Sequence, residues 1–394
     1  MKTKIQILRW LMMLMLSVSA LGAWAQVGVL TKTGDMTVCL NSTESYGVMP
    51  TAGSTYTWNI SAGTGGAGVI RTGAAPNNLV SINWTNSGTC TLTVTELNSS
   101  NCSAVINSIS ITVLPLLLPG TAAADQTICY NTVPAALTSV DATGGTGNYT
   151  YQWDSSPDGA TWTPITGATT SGYAPAALTA TTYYRLHQTS GTCGTVITNS
   201  VKITVQPNLV VGTAGVDQTI CYNTVPAPLT SVNATGGTGS YTYQWDSSPD
   251  GATWAPISGA TTSGYAPATL TATTYYRLHQ TSGTCGTVIT NTVKITVNPL
   301  PDPTITGATP VCATTIGVIY TTETGMTGYI WSVSAGGTIT AGAGTNSITV
   351  TWNTAGPQSV SVNYTNANSC KAAAPKVMVV TVNALPATSP IYHN

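Results

Sequence analysis

Tyr149-Thr150-Tyr151-Gln152-Trp153-Asp154-Ser155-Ser156-Pro157-Asp158-Gly159 decides the fold class. Its aromatics recur at every second position, so Tyr149, Tyr151 and Trp153 share one face of a strand while Thr150 and Gln152 share the other. Ser156-Pro157-Asp158-Gly159 reads as a tight turn, because Pro presets φ and Gly closes it. A further strand is expected over 160–165. Downstream, Tyr184 and Leu186 alternate with Arg185 and His187, and Val201, Ile203 and Val205 alternate with Lys202 and Thr204. Roughly six to eight short strands in about 90 residues, with no helical stretch, predict a two-sheet immunoglobulin-like β-sandwich.

The stretch returns at Tyr241 to Gly251. Residues 121–207 and 213–299 align without a gap at an offset of 92 and differ at ten of 87 positions. Each copy closes on an alternating strand stopped by a proline: Ile203-Thr204-Val205-Gln206-Pro207 and Ile295-Thr296-Val297-Asn298-Pro299. Ile111-Thr112-Val113-Leu114-Pro115 and Val380-Thr381-Val382-Asn383 end two outer modules in the same way. The outer modules form their own pair, since Trp58 follows Cys39, and Trp331 follows Cys312, by 19 residues. The expected layout is all-β: a leader over 1–25, PKD-like or immunoglobulin-like sandwiches over 26–115, 116–207, 208–299 and 300–384, and a tail over 385–394. Trp58, Trp153, Trp245 and Trp331 are the expected buried tryptophans. Short, proline-marked linkers predict an extended rod of about 140–160 Å, four modules of roughly 35–40 Å each.

Lys2, Lys4 and Arg9 precede the apolar run Trp10 to Leu21, and Ala23-Trp24-Ala25 supplies small residues before Gln26, the pattern of a cleaved signal peptide. Nothing later approaches 18 apolar residues, so no membrane span is expected after cleavage. Removing those three cations leaves 8 basic against 12 acidic residues, a net charge of −4. That balance excludes a nucleic-acid partner, whose binding rests on neutralising phosphates. Only 6% of residues are charged and Phe is absent. Hydroxyl-rich strands, with Trp, Tyr, Val, Ile and Leu in the cores, account for this composition.

Nine cysteines are present. One early and one late Cys per module, in an exported chain, predict one intramodular disulfide each: Cys39–Cys102, Cys129–Cys193, Cys221–Cys285 and Cys312–Cys370. Cys90 is left over, on the face of Leu92 and Val94, and reads as a buried inert thiol. Without Cys-x-x-Cys or Cys–His clustering, zinc is not expected.

Several apparent motifs dissolve on inspection. Gly63-Thr64-Gly65-Gly66-Ala67-Gly68 matches G-x-G-x-x-G, but β-rich sequence follows where a dinucleotide site needs a helix. Asp154 to Gly159 imitates an EF-hand loop, yet Ile165 stands where a bidentate Glu belongs. The stretch Ser156 to Trp162 is similar to the Asp-box hairpin of sialidase-type propellers, one residue short, and that box is itself structural. His187 and His279 fall on the solvent face with no partnered nucleophile, so neither catalytic residues nor a cofactor are expected. Trp162 and Trp254, just past the turn, are the candidate glycan-stacking residues, with Tyr173 and Tyr265 as second walls.

The run Gly144-Gly145-Thr146-Gly147-Asn148-Tyr149-Thr150-Tyr151-Gln152-Trp153, repeated at Gly236 to Trp245, resembles the repeat signature of secreted Bacteroidota surface proteins, including gliding-motility adhesins. The outer modules resemble PKD-like domains: an early Cys, a Tyr-x-Trp strand, an Ile-Asn-Trp or Val-Thr-Trp strand, and a late Asn near Cys (Asn101-Cys102; Asn368-Ser369-Cys370). The resemblance covers residues 30–384. It implies a secreted or cell-surface structural and adhesive protein, a stiff spacer or adhesin, whose partner is a surface glycan or protein. The alternative is a carbohydrate-binding array. Such proteins end in a type IX secretion sorting domain, whereas this sequence runs to Tyr392-His393-Asn394. A fragment of a longer secreted protein, or export ending in the periplasm, is therefore also expected.

Overall fold

The computed structural model describes residues 36–387, so the expected leader lies outside the described residues. Strands and two short 3-10 turns, Gly191–Cys193 and Gly283–Cys285, make up the regular structure, with no α-helix among the described residues. Accordingly no helix there is long and apolar enough to cross a membrane. The chain divides into two compact units, residues 1–206 and 207–394. Each unit carries two hydrophobic cores, and the whole is the expected array of immunoglobulin-like sandwiches.

In the first core of the first unit, one sheet runs in the order Met36–Cys39, Ser103–Leu114, Gly88–Leu97, Thr55–Ala62. A three-stranded sheet, Thr43–Gly47, Leu79–Asn86, Ala67–Thr72, covers it. Period-two alternation delivers Val80, Ile82 and Trp84 from one sheet and Cys90, Leu92 and Val94 from the other to the interface. Cys90 is buried as expected, and burial pushes its thiol pKa up. Residues 63–66 form a loop feeding the strand Ala67–Thr72, which already holds Gly68, so no helix follows the glycines.

In the second core, a sheet in the order Thr163–Pro164, Thr150–Ser156, Thr182–Thr189, Val201–Val205, Gln126–Ile128 also holds Thr195–Ile197 at a branch. The opposing layer is held by isolated bridges such as Leu137–Tyr173 and Ala122–Ser139, since its Pro-, Gly- and Ala-rich sequence cannot sustain a ladder. Trp153, Leu137, Leu186, Val201 and Ile203 are fully buried, and the Trp153 indole N–H donates to Thr170 O at 3.1 Å. The expected strand over 160–165 shrinks to Thr163–Pro164. Asp158 captures the backbone N–H groups of Ala160 and Thr161 at 2.8 and 2.7 Å, leaving them unable to join a ladder.

The second unit repeats this core around Trp245. Its other core lies between the sheet Thr306–Gly307, Val318–Thr321, Ser347–Trp352, Gly337–Ala341 and the sheet Val311–Cys312, Lys376–Asn383, Gly356–Thr365, Thr327–Val333. Tyr320 and Trp352 meet edge to face at its centre, and the Trp352 indole donates to the Tyr320 hydroxyl at 3.1 Å. All four expected tryptophans, Trp58, Trp153, Trp245 and Trp331, are buried.

The intramodular disulfides do not form. Cys39 is bonded to Cys193 and Cys221 to Cys370, with Cα separations of 5.3 and 5.5 Å. Cys129 and Cys285 are disulfide-bonded too, whereas Cys102 and Cys312 are free and exposed. The reason is geometric. Met36–Cys39 pairs in parallel with the module's last strand, so Cys39 lies beside Leu114, while Cys102 immediately precedes Ser103 at the strand's other end. Twelve residues of extended chain separate the two poles by about 40 Å, far beyond the roughly 7 Å a disulfide spans. Within the first unit, Cys39 reaches instead from the downstream pole of one sandwich to the upstream pole of the next.

Trp153→Ala should lower stability by about 3–5 kcal/mol, read from urea unfolding of the full chain, with its region unfolding before the others. A second expectation concerns acid. Partial burial raises the Glu323 carboxyl pKa, but hydrogen bonds from the Thr304 and Thr322 side chains and the Thr304 N–H outweigh it and bring it down to about 2. Its stabilisation is therefore full above the unfolded value of about 4.3 and lost as pH falls through the folded one. Glu323→Gln should flatten unfolding profiles between about pH 4.3 and 2, and an unchanged slope would refute this.

Candidate functional site

Ionisable groups are concentrated on the outer face of the two repeat sandwiches. Thr150–Ser156 and Thr182–Thr189 pair antiparallel with Asp154 opposite Arg185 and Gln152 opposite His187. Alternation sends Trp153 and Leu186 inward and these four side chains outward. Arg185 Nε and Nη2 reach Asp154 Oδ2 at 3.1 and 3.0 Å, and His187 Nε2 reaches the same oxygen at 2.7 Å. The Arg185 guanidinium also lies 4.3 Å from the ring centroid of Trp162. Asp154 is thus buried beneath its partners although it points away from the core: 6% of its side chain is exposed, against 24% for Arg185 and 27% for His187.

The second unit carries the same constellation at Asp246, Arg277, His279 and Trp254, with identical distances. Alternation along the strand puts Arg185 and His187 on the outer face, as observed, but does not by itself pair them with Asp154. The usable signal was cross-strand: an acid and a base opposite one another on one face of adjacent strands form a pair.

This arrangement limits the chemistry available. His187 Nε2 is engaged by Asp154, and no hydroxyl or thiol among the described residues stands in hydrogen bond with that imidazole, so the constellation lacks the nucleophile a triad needs. No group of three His, Cys, Asp or Glu among the described residues could hold a metal ion. Asp158, in the EF-hand-like loop, spends its carboxylate on its own turn. It accepts from Ala160 N, Thr161 N, Thr161 Oγ1 and Ser156 Oγ. The Thr161 and Ala160 N–H groups hold its carboxyl well below the usual carboxylate range. Asp250 does the same in the other copy.

The expected glycan-stacking residues are not brought together. Trp162 lies on the outer face with Arg185 against its ring, whereas Tyr173 packs on the inner side, 6.4 Å from Trp153 and 5.9 Å from Tyr184. Trp254 and Tyr265 are separated in the same way. A sugar stacking on the covered indole face would first have to displace the guanidinium.

Residues 118–207 and 210–299 each match a family described as "Domain of unknown function (DUF8696)", and residues 298–379 match the family described as "PKD-like domain". No characterised protein matches the chain. Among solved structures it is similar to extracellular domains 3–5 of Drosophila OTK, at 12% identity, covering 67% of this chain and 94% of that one with a TM-score of 0.29. It is also similar to the ICAM-5 D1–D4 ectodomain fragment (11% identity, 89% and 98% covered, TM-score 0.32). The three N-terminal domains of the bacteriophage RB49 Hoc capsid protein are a further similar structure (12%, 66% and 96%, 0.33). Likenesses at these scores carry no argument about ligand or partner. The PKD-like match agrees with the β-sandwich architecture.

Proposed function

We propose that the chain is a non-enzymatic extracellular spacer, an array of sandwiches in which the joint inside each of the two units is covalently strapped, placed at or beyond the cell surface. The observation that carries this reading is where the bridges fall. Cys39–Cys193 spans a joint in the first unit and Cys221–Cys370 spans one in the second. A disulfide inside a sandwich protects that sandwich alone. One across a joint gives the two neighbours a second covalent connection besides the linker, so bending and pulling are resisted where an array of modules is softest. Disulfides also suit an oxidising compartment outside the cytoplasm. The Asp154 and Asp246 constellations support the same reading, because their polar groups are satisfied internally and stiffen a sheet face rather than offering an open cleft.

An adhesive role toward a surface glycan or protein is the second reading, favoured by the partly exposed Trp162 and Trp254 in duplicated positions. Small-angle scattering of the oxidised chain should give a maximum dimension of about 140–160 Å. Reduction should broaden the distribution, and a value below about 90 Å under oxidising conditions would sink the spacer reading. Glycan-array binding that is abolished by Trp162→Ala and Trp254→Ala together would replace it with the adhesive one. Asp154→Ala should cost about 3–5 kcal/mol in urea unfolding, since it leaves Arg185 and His187 without their shared buried partner. A loss below about 1 kcal/mol would remove the stiffening role from this site.

A further inference from the structure

We propose that each joint bridge is also a bypass for tension, which turns the unit that holds it into a tether with a fixed extension stop. Resting on the spacer reading, this adds to it the route by which a pull crosses the molecule. Cys39 and Cys193 lie 154 residues apart in sequence, and Cys221 and Cys370 lie 149 apart. A taut chain transmits force along its shortest covalent route. In the first unit that route leaves the backbone at Cys39 and rejoins it at Cys193, so residues 40–192 carry none of the pull. In the second unit residues 222–369 are bypassed in the same way. Cys129 and Cys285, also disulfide-bonded, fall inside the bypassed segments and do not shorten the route. The Asp154 and Asp246 constellations fall inside them too, with all their partners.

The strands left on the route are placed to take the pull. In the first unit it crosses one sandwich on Met36–Cys39, which runs parallel to Ser103–Leu114, and the next on Val201–Val205, which runs parallel to Gln126–Ile128. Cys39 lies at the exit pole of its sandwich and Cys193 at the entry pole of the next. The bridge therefore passes the pull on with its direction still along a strand. Force along a strand loads all its ladder hydrogen bonds together, whereas force across it breaks them one after another. Val201–Val205 is also bonded on both sides, to Thr182–Thr189 and to Gln126–Ile128, with Val201 and Ile203 fully buried. The second unit is laid out alike on its own residues. Gln218–Cys221 runs parallel to Val293–Asn298, and beyond the bridge Lys376–Asn383 lies between Val311–Cys312 and Gly356–Thr365 with Val380 and Val382 buried.

Without the bridges, tension would run through every strand in turn and each sandwich would unravel. A fully extended chain spans about 3.3–3.6 Å per residue, so each bypassed segment withholds roughly 500 Å of length. The core of the first sandwich, around Ile82, Trp84, Leu92 and Val94, lies on bypassed residues and stays folded after Met36–Cys39 has been pulled straight. The bridges thus cap extension and spare the cores, with no bond made or broken while the pull lasts.

The test is single-molecule pulling of the full chain between handles at its two ends, with the exposed thiols of Cys102 and Cys312 first capped by iodoacetamide. The length gained on complete unfolding should be about 1000 Å shorter in the oxidised chain than after dithiothreitol. Cys193→Ser should recover about half of that difference, and circular dichroism checks that the variant folds. Ile82→Val, a small change in a bypassed core, should lower an unfolding force in the reduced chain and none in the oxidised one. An oxidised chain that lengthens as far as the reduced one would overturn the proposal. So would an unfolding force that Ile82→Val lowers under oxidising conditions. Scattering separates the two readings: a compact oxidised chain sinks the spacer, whereas an extended chain whose length gain ignores reduction sinks the bypass alone.

Discussion

The parallel pairing of the strand that leads to a module's early Cys with the module's last strand is the constraint from which the rest follows. Met36–Cys39 beside Ser103–Leu114, Gln126–Ile128 beside Val201–Val205, Gln218–Cys221 beside Val293–Asn298, and Val311–Cys312 beside Lys376–Asn383 repeat it in every sandwich. Two strands that run the same way end at the same pole, and that pole is where the chain leaves for the next module. The early Cys therefore ends up at the exit, while the late Cys, in the turn before the last strand or in a 3-10 turn off the preceding one, sits at the opposite pole. A disulfide between them is ruled out by distance, and one to a neighbouring module is made available by the same geometry.

Cores of this size need not rely on an internal bridge. Each is closed by a large, fully buried aromatic: Trp84, Trp153, Trp245 and Trp352. The indole of Trp153 donates to a backbone carbonyl, as does that of Trp245, so burial leaves no unpaired donor there. With the interior secured by packing, the cysteines are free to serve the joints. The outer face of the repeat sandwiches follows a comparable logic. A carboxylate placed almost out of solvent is held by a guanidinium and an imidazole on the adjacent strand, and an indole lies against the guanidinium.

Much of the fold was legible along the chain because a strand exposes its two faces at a period of two, and that period depends only on backbone geometry. It places Trp153 and Leu186 inward and Arg185 and His187 outward, and it puts Cys90 with Leu92 and Val94 in a core. The expected strand over 160–165 failed because a side chain, Asp158, competes for backbone donors that alternation assumes are available for a ladder. The pairing of Trp162 with Tyr173 as two walls of one platform is not met, for a different reason. Trp162 and Tyr173 are eleven residues apart in sequence, but the sheet lies between them, and one packs under Arg185 while the other joins the core.

The sequence by itself determined the class of the fold, the number of sandwiches and the residues that fill them, since all of these rest on local period, internal repetition and composition. It also divided the cysteines into an early and a late set. Which member of one set bonds which member of the other was decided only by tertiary structure. Spacing along a chain of about 60 residues says nothing about whether its ends meet. Whether they do depends on which strand lies beside which, and in which direction, and here the parallel strand that leads to the early Cys carries one end about 40 Å from the other.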